Sequence, residues 1–171
     1  MLKAWKVASS ASLAAALSLV PAAAALAQSA NAKALVGQWS LVSDSNTGKD
    51  GKVVKGAAFG DKPKGIFVFE ANGRYASVNT RGDLPKFASG NRMQGTAEEN
   101  KAIVSGSIAH FGTYSVSPDG KVLTLNVEAG TWPAWVGQSQ QRNITIKGDE
   151  LRYTVAASIG GQSELVYRKL K

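Results

Sequence analysis

The 171 residues carry 20 Lys and Arg against 12 Asp and Glu, a formal charge of +8, with no cysteine and one histidine. This composition excludes a disulfide framework, a thiol nucleophile, a Cys-ligated zinc site and an iron–sulfur cluster. His110 stands alone, so a multi-histidine metal site within one chain is excluded as well.

The chain opens like a secretory leader. Lys3 and Lys6 form a basic start, an uncharged Ala/Leu/Val stretch runs from Val7 to Leu26, and Ala25-Leu26-Ala27 has the small-x-small form of a cleavage site. Cutting after Ala27 removes two lysines and leaves 144 residues with a formal charge of +6. That length suits one domain with a single core. Residues 1–27 are therefore expected to be a signal peptide, 28–34 a disordered lead-in and 35–171 one exported domain, periplasmic or secreted. No second long apolar stretch follows, so no integral membrane span is expected after signal cleavage.

From Leu35 onward, segments of period two alternate with turn signals, the pattern of antiparallel sheet. Residues 35–42 put Leu35, Trp39 and Leu41 on one face, and the polar stretch 43–52 reads as a loop. Val53 to Phe59 reads as a short strand or an extended edge, and residues 65–70 as a stronger strand, apolar on both faces. Asn72-Gly73 supplies a positive-φ pair for a tight hairpin, with the return strand over 74–79. Residues 80–95 form a long irregular loop rich in Gly and Pro. Thr96-Ala97-Glu98-Glu99 has the form of a capping box, predicting a helix to about Ser107 or Ala109, with Val104, Ile108 and Phe111 as its stripe. The last third returns to hairpins: strands over 111–116 and 121–128, a loop over 129–138, strands over 141–147 and 151–157, a turn at Gly160-Gly161 and a strand over 162–169. Eight or nine strands and one helix predict an all-β fold, an antiparallel up-and-down barrel, since closure removes exposed edges. A two-sheet sandwich is the other solution.

Several motifs are similar to those of the lipocalin-like domain family of bacterial and fungal barrel proteins. Gly37-Gln-Trp39 resembles the Gly-x-Trp opening of such barrels. Lys64 to Ala76 resembles a strand, turn and strand of the family with a Gly-Arg pair after the turn, and Pro85 to Arg92 with Gly95 to Glu99 resembles its central loop and helix start. Phe111-Gly-Thr-Tyr114 and Pro133-Ala-Trp-Val-Gly137, followed by Arg142, are similar to its later segments. Family members often carry a histidine where this chain has Leu125 and Asn126. The resemblance spans nearly all of 35–171 and implies a small barrel with an interior cavity; it does not imply a particular chemistry.

Among candidate site residues, Arg142 shares a face with Ile144 and Ile146, which places a guanidinium toward the core. It is either an anchor for a carboxylate, suited to its planar fork, or a structural arginine stacked on Trp39 at the closed end, a feature that the resemblance implies. Arg74 and Tyr75 follow the Asn-Gly turn and Arg92 sits in the long loop, where each either lines a mouth or is solvated. Trp132 and Trp135 form either an aromatic lid or a plug of the barrel end. For catalysis, His110 is the default base because it alone titrates near neutrality, with Tyr114 and Glu128 as companions; Glu128 is otherwise placed to pair with an arginine across the sheet.

The leading expectation is an exported barrel that binds a small, mostly apolar molecule in its interior, with an acidic head group met by Arg142 or Arg74. The ligand-binding set is then Arg74, Tyr75, Arg92, Trp132, Trp135 and Arg142. The alternatives are a cofactor-free isomerase, cyclase or hydrolase using the cavity, and a non-catalytic envelope module that binds a partner. No cofactor, metal or nucleic acid is expected: lysines are dispersed along the chain, and Gly60 and Gly65 are followed by Ile66 where a phosphate loop has Lys.

Overall fold

The computed structural model describes residues 30–156 and 161–171; the expected signal peptide, Gln28, Ser29 and Gly160 lie outside the described residues. The elements, in chain order, are α1 (Ala30–Leu35), β1 (Gly37–Thr47), β2 (Val53–Lys55), β3 (Lys64–Phe69), β4 (Arg74–Thr80), α2 (Ala97–Ser105), β5 (Ser107–Val116), β6 (Val122–Gly130), β7 (Ser139–Lys147), β8 (Glu150–Ala156) and β9 (Gln162–Lys169). Each strand from β3 to β9 pairs with the next, β1 pairs with both β3 and β9, and β2 adds a short edge to β1. Every pair is antiparallel. The result is a closed eight-stranded barrel with one extra strand, as the alternation predicts; the sandwich is excluded by the β1–β9 seam.

Because neighbouring strands run antiparallel, they start and stop alternately at two rims. At one rim α1 forms a plug. Trp39 Nε1 donates to the Leu35 carbonyl at 2.7 Å, Lys169 Nζ donates to the Ala34 carbonyl at 2.7 Å, and the same ammonium lies 5.1 Å from the Trp39 ring centroid. Asn31 Nδ2 ties the helix to the Gly120 carbonyl at 2.7 Å. The expected lead-in is thus helical from Ala30, with Ala32 and Leu35 buried. Leu123, Leu125 and Leu151 pack with Trp39, Phe67, Phe69 and Tyr167 into the core behind this plug.

The opposite rim carries the longer connections. β1 runs on to Thr47 through residues expected as loop, and its register against β9 shifts between Leu41 and Ser43. That irregularity resets the alternation, so Asp44 and Asn46, in place of Ser43 and Ser45, point inward and are buried. The Asp44 carboxylate then accepts from the Ala58 and Phe59 amides at 2.8 and 3.3 Å, which folds the 56–60 turn over the rim. Gly56 takes φ 60°, and a side chain there would collide with the Gly60 backbone at 2.6 Å.

Two local expectations are corrected. Only Gly73 takes positive φ in the β3–β4 hairpin; Asn72 instead accepts from the Arg74 amide at 2.9 Å through its side chain. The capping box forms, with Glu99 N donating to Thr96 Oγ1 at 3.2 Å and Thr96 N to Glu99 Oε2 at 2.8 Å, but α2 stops at Ser105. Ser107 already pairs with Thr80 in β4, so sheet ladders claim Ile108, His110 and Phe111, and Val104 is left 71% exposed. Tertiary pairing overrides the helical spacing.

Candidate functional site: the polar half of the barrel interior

Strand alternation places Tyr75, Ser77 and Asn79 of β4 on the inner wall, with His110 opposite Ser77 in the register. Arg142 follows from β7, Tyr153 from β8 and Tyr167 from β9, all buried. Gly130 faces His110 across the β5–β6 ladder. A Cβ on Gly130 would lie 2.9 Å from the His110 Cβ and 2.7 Å from the Ala109 carbonyl oxygen, so the glycine is what lets the imidazole sit there.

His110 Nδ1 and Tyr75 Oη are 3.0 Å apart. Burial, reinforced by the charge of Arg142, pushes the imidazole down to about 4, so it is neutral at physiological pH. Burial pushes the Tyr75 phenol up to about 12, against a smaller opposing pull from Arg142. Tyr167 and Tyr153 rings stack at 5.7 Å, and Asn79 Nδ2 donates to Tyr167 Oη at 2.8 Å. Burial also raises both of these phenols, while Arg142 works in the other direction. The site is therefore a set of neutral aromatic donors and acceptors around one cation.

That cation is the unusual member. Arg142 is 4% exposed, donates from Nη1 to the Gln141 carbonyl at 3.0 Å, and stands 5.5 and 5.8 Å from the Trp135 and Tyr153 ring centroids. Among the described residues no carboxylate pairs with it. The expected stack on Trp39 is not formed, because Lys169 occupies that ring at the plugged end.

The remaining candidates are dispersed. Arg74 points outward and grips Glu128 with both guanidinium nitrogens at 2.6 and 2.9 Å; this is the cross-sheet pair open to Glu128 in the sequence, and it takes both residues away from the interior. Arg92 lies exposed in a 3-10 turn of the central loop. Trp132 is 53% exposed, whereas Trp135, at the other end of the turn around Pro133, meets the His110 ring edge-on at 5.5 Å. Tyr114 Oη donates to the Glu70 carbonyl at 2.9 Å near the plugged end. His110 meets Tyr75 inside the barrel, while Tyr114 turns to Glu70 and Glu128 to Arg74, so His110, Tyr114 and Glu128 are not brought together. Sequence reading missed Asn79, Tyr153 and Tyr167; the alternation Tyr75-x-Ser77-x-Asn79 and Leu151-x-Tyr153 was the available signal.

Outside this interior, a cleft of about 440 Å³ lies at the rim between the 56–62 turn and Arg81, Gly82 and Asp83. Among the described residues, no group of three His, Cys, Asp or Glu is placed to hold a metal ion, and no helix is long and apolar enough to cross a membrane.

The sequence model of the lipocalin-like domain matches residues 36–168. A lipocalin-like protein from Bacteroides uniformis ATCC 8492 is 16% identical with a TM-score of 0.42, covering 80% of this chain and 98% of its own. An uncharacterized protein from Bacteroides eggerthii DSM 20697 is 14% identical with a TM-score of 0.41, covering 80% and 99%. A redesigned beta barrel is 13% identical with a TM-score of 0.42, covering 81% and 94%. No curated protein matches the chain.

Proposed function

Because this chain belongs to the lipocalin-like domain family, we propose that it is an exported barrel that holds a small, mostly apolar acid in its interior, with the acid group on Arg142. The observation that carries the reading is a buried guanidinium with no carboxylate partner among the described residues. An uncompensated buried charge is costly, and a ligand carboxylate offers its planar fork the bidentate contact it lacks. Apolar surface on the ligand adds roughly 25 cal/mol per Å² on burial. Export rests on the basic start and apolar run of residues 1–27.

Calorimetric titration of the purified protein with decanoate and with 2-naphthoate tests the reading. Saturable binding of at least one acid is expected, weakened tenfold or more by Arg142→Met. No binding of either acid, or binding indifferent to the substitution, would falsify it. For export, N-terminal sequencing of protein recovered outside the cytoplasm should begin at Gln28; an intact Met1 on all recovered protein contradicts it.

A further inference from the structure

On the strand faces opposite to the inward Tyr75, Ser77 and His110, two apolar rows run across the outer wall of the barrel. The register joins Val68 to Ala76, Ala76 to Phe111 and Phe111 to Ala129. One step toward the loop-bearing rim it joins Ile66 to Val78 and Val78 to Ala109. Phe111 is 46% exposed and Val78 44%. The margin is polar on three sides. Gln38 and Ser40 of β1 pair with Val68 and Ile66, Arg74 and Thr113 follow on the plugged side, and Thr80 and Ser107 on the other. Apolar side chains scattered singly over a surface are ordinary, whereas a contiguous block of them marks an interaction site.

The relief of this block decides what fits it. Phe111 is the one ring in its row, and both of its cross-strand neighbours, Ala76 and Ala129, are alanine. Ala109 lies two residues back on the same face of β5. A ring projecting between methyl groups is a knob with a shelf on each side. A two-fold contact presents one patch to its own copy, so each knob meets the other copy's alanine shelf. The two rows hold no ionisable group, so identical patches do not repel, and the bordering Arg74 and Glu128 already neutralise each other. An anionic bilayer is the poorer match, because its capture calls for several uncommitted cations beside the apolar surface.

Four strands at about 4.8 Å and four rows at about 6.7 Å, polar margin included, cover roughly 500 Å². A standard interface takes about 800 Å² from each partner, and smaller ones form and dissolve readily. We infer that the outer wall of β3 to β6 is a self-association surface, through which two copies of this chain form a reversible two-fold dimer centred on Phe111 of each. An apolar centre with a polar margin is the anatomy of such contacts.

Sedimentation equilibrium of the purified protein from about 1 µM to about 1 mM tests this, the range in which a contact of that size dissociates. The average mass should climb from one chain to two and stop there. Phe111→Gln removes the knob and Ala76→Gln fills a shelf, both without altering net charge. Each should weaken the dimer roughly tenfold or more, as loss of a central anchor does, with folding checked by near-ultraviolet circular dichroism. Met93→Gln, which removes a more exposed apolar side chain from the central loop, should leave the dimer as it was. A single-chain mass throughout, growth past two chains, or a dimer indifferent to Phe111 and Ala76 overturns the inference. So does a monomer that binds phosphatidylglycerol vesicles through Phe111, which assigns the wall to a bilayer. If neither wall variant folds, the wild type still decides: amide NMR signals of Ala76, Val78, Ala109 and Phe111 should move with concentration while that of Met93 stays, and shifts confined to other residues overturn it.

Discussion

Tyr75 Oη and His110 Nδ1 meet at 3.0 Å across the β4–β5 ladder, in the half of the barrel that also buries Arg142. The pair ties a neutral imidazole to a neutral phenol in the presence of an unneutralised cation; burial moves both rings away from their ordinary ranges, and the cation adds to the shift of the imidazole while opposing that of the phenol.

The imidazole makes stability depend on pH in a definite direction. His110 falls from 6.5 unfolded to about 4 folded, so between those values the unfolded chain binds the extra proton. Stability is therefore full above about pH 6.5 and declines as pH drops toward 4, with a slope approaching about 1.4 kcal/mol per pH unit. Urea unfolding at several pH values should show this slope in the wild type and its loss in His110→Gln. Equal slopes in the two proteins would place the imidazole in solvent.

Arg142→Met should separate stability from binding. Removing an unpaired buried charge is expected to raise folding stability by on the order of 1 kcal/mol while acid binding is lost. The His110 titration, followed by NMR, should move up from about 4 toward its ordinary value, because the second cause of its depression is gone. A variant that is less stable, with an unmoved imidazole, contradicts the placement of the two groups.

The outward pair gives a control. Arg74 and Glu128 side chains are 44% and 45% exposed, and exposed ion pairs contribute little. Glu128→Gln should leave the urea midpoint and the affinity for decanoate and 2-naphthoate where they were. A gain of binding, from an Arg74 freed of its competing carboxylate, would mean that Arg74, not Arg142, holds the acid.

At the plugged end, Trp39→Ala should destabilise by about 3–5 kcal/mol, as for other buried aromatic residues, and Lys169→Met by about 1–2 kcal/mol for the loss of one hydrogen bond and one cation–ring contact. Chemical denaturation reads both. Affinity in the folded fraction of Lys169→Met should be unchanged, since Ala34 and Trp39 lie at the far rim from Trp135.

How far the sequence disclosed this arrangement depends on how local each cause is. Leu123, Leu125 and Val127 alternate within one strand, so their common face is readable from spacing alone, and the Thr96–Glu99 box needs only four residues. The burial of Asp44 and Asn46 follows from a register shift against β9, some 120 residues away in the chain, and no pattern inside β1 announces it. The end of α2 is set by pairing of Ser107 with Thr80, a long-range competition that helical spacing cannot register. Arg142 was legible as an inward arginine, yet its neighbours were not: Trp135 reaches it from the turn preceding its own strand, and Tyr153 from the next strand. Asn79 and Tyr167 meet only because closure brings β4 and β9 within reach across the lumen.

The plug has a practical corollary. The amide of Leu170 donates to the Gln38 carbonyl at 2.8 Å, beside the Lys169–Ala34 clasp, so the carboxyl end of the chain and helix α1 emerge on the same side of the cylinder. A fluorophore, affinity handle or solid support coupled at Lys171 would hold the molecule upright with its loop-bearing rim facing the solution. Immobilised in that orientation, the protein keeps that rim free of the linkage.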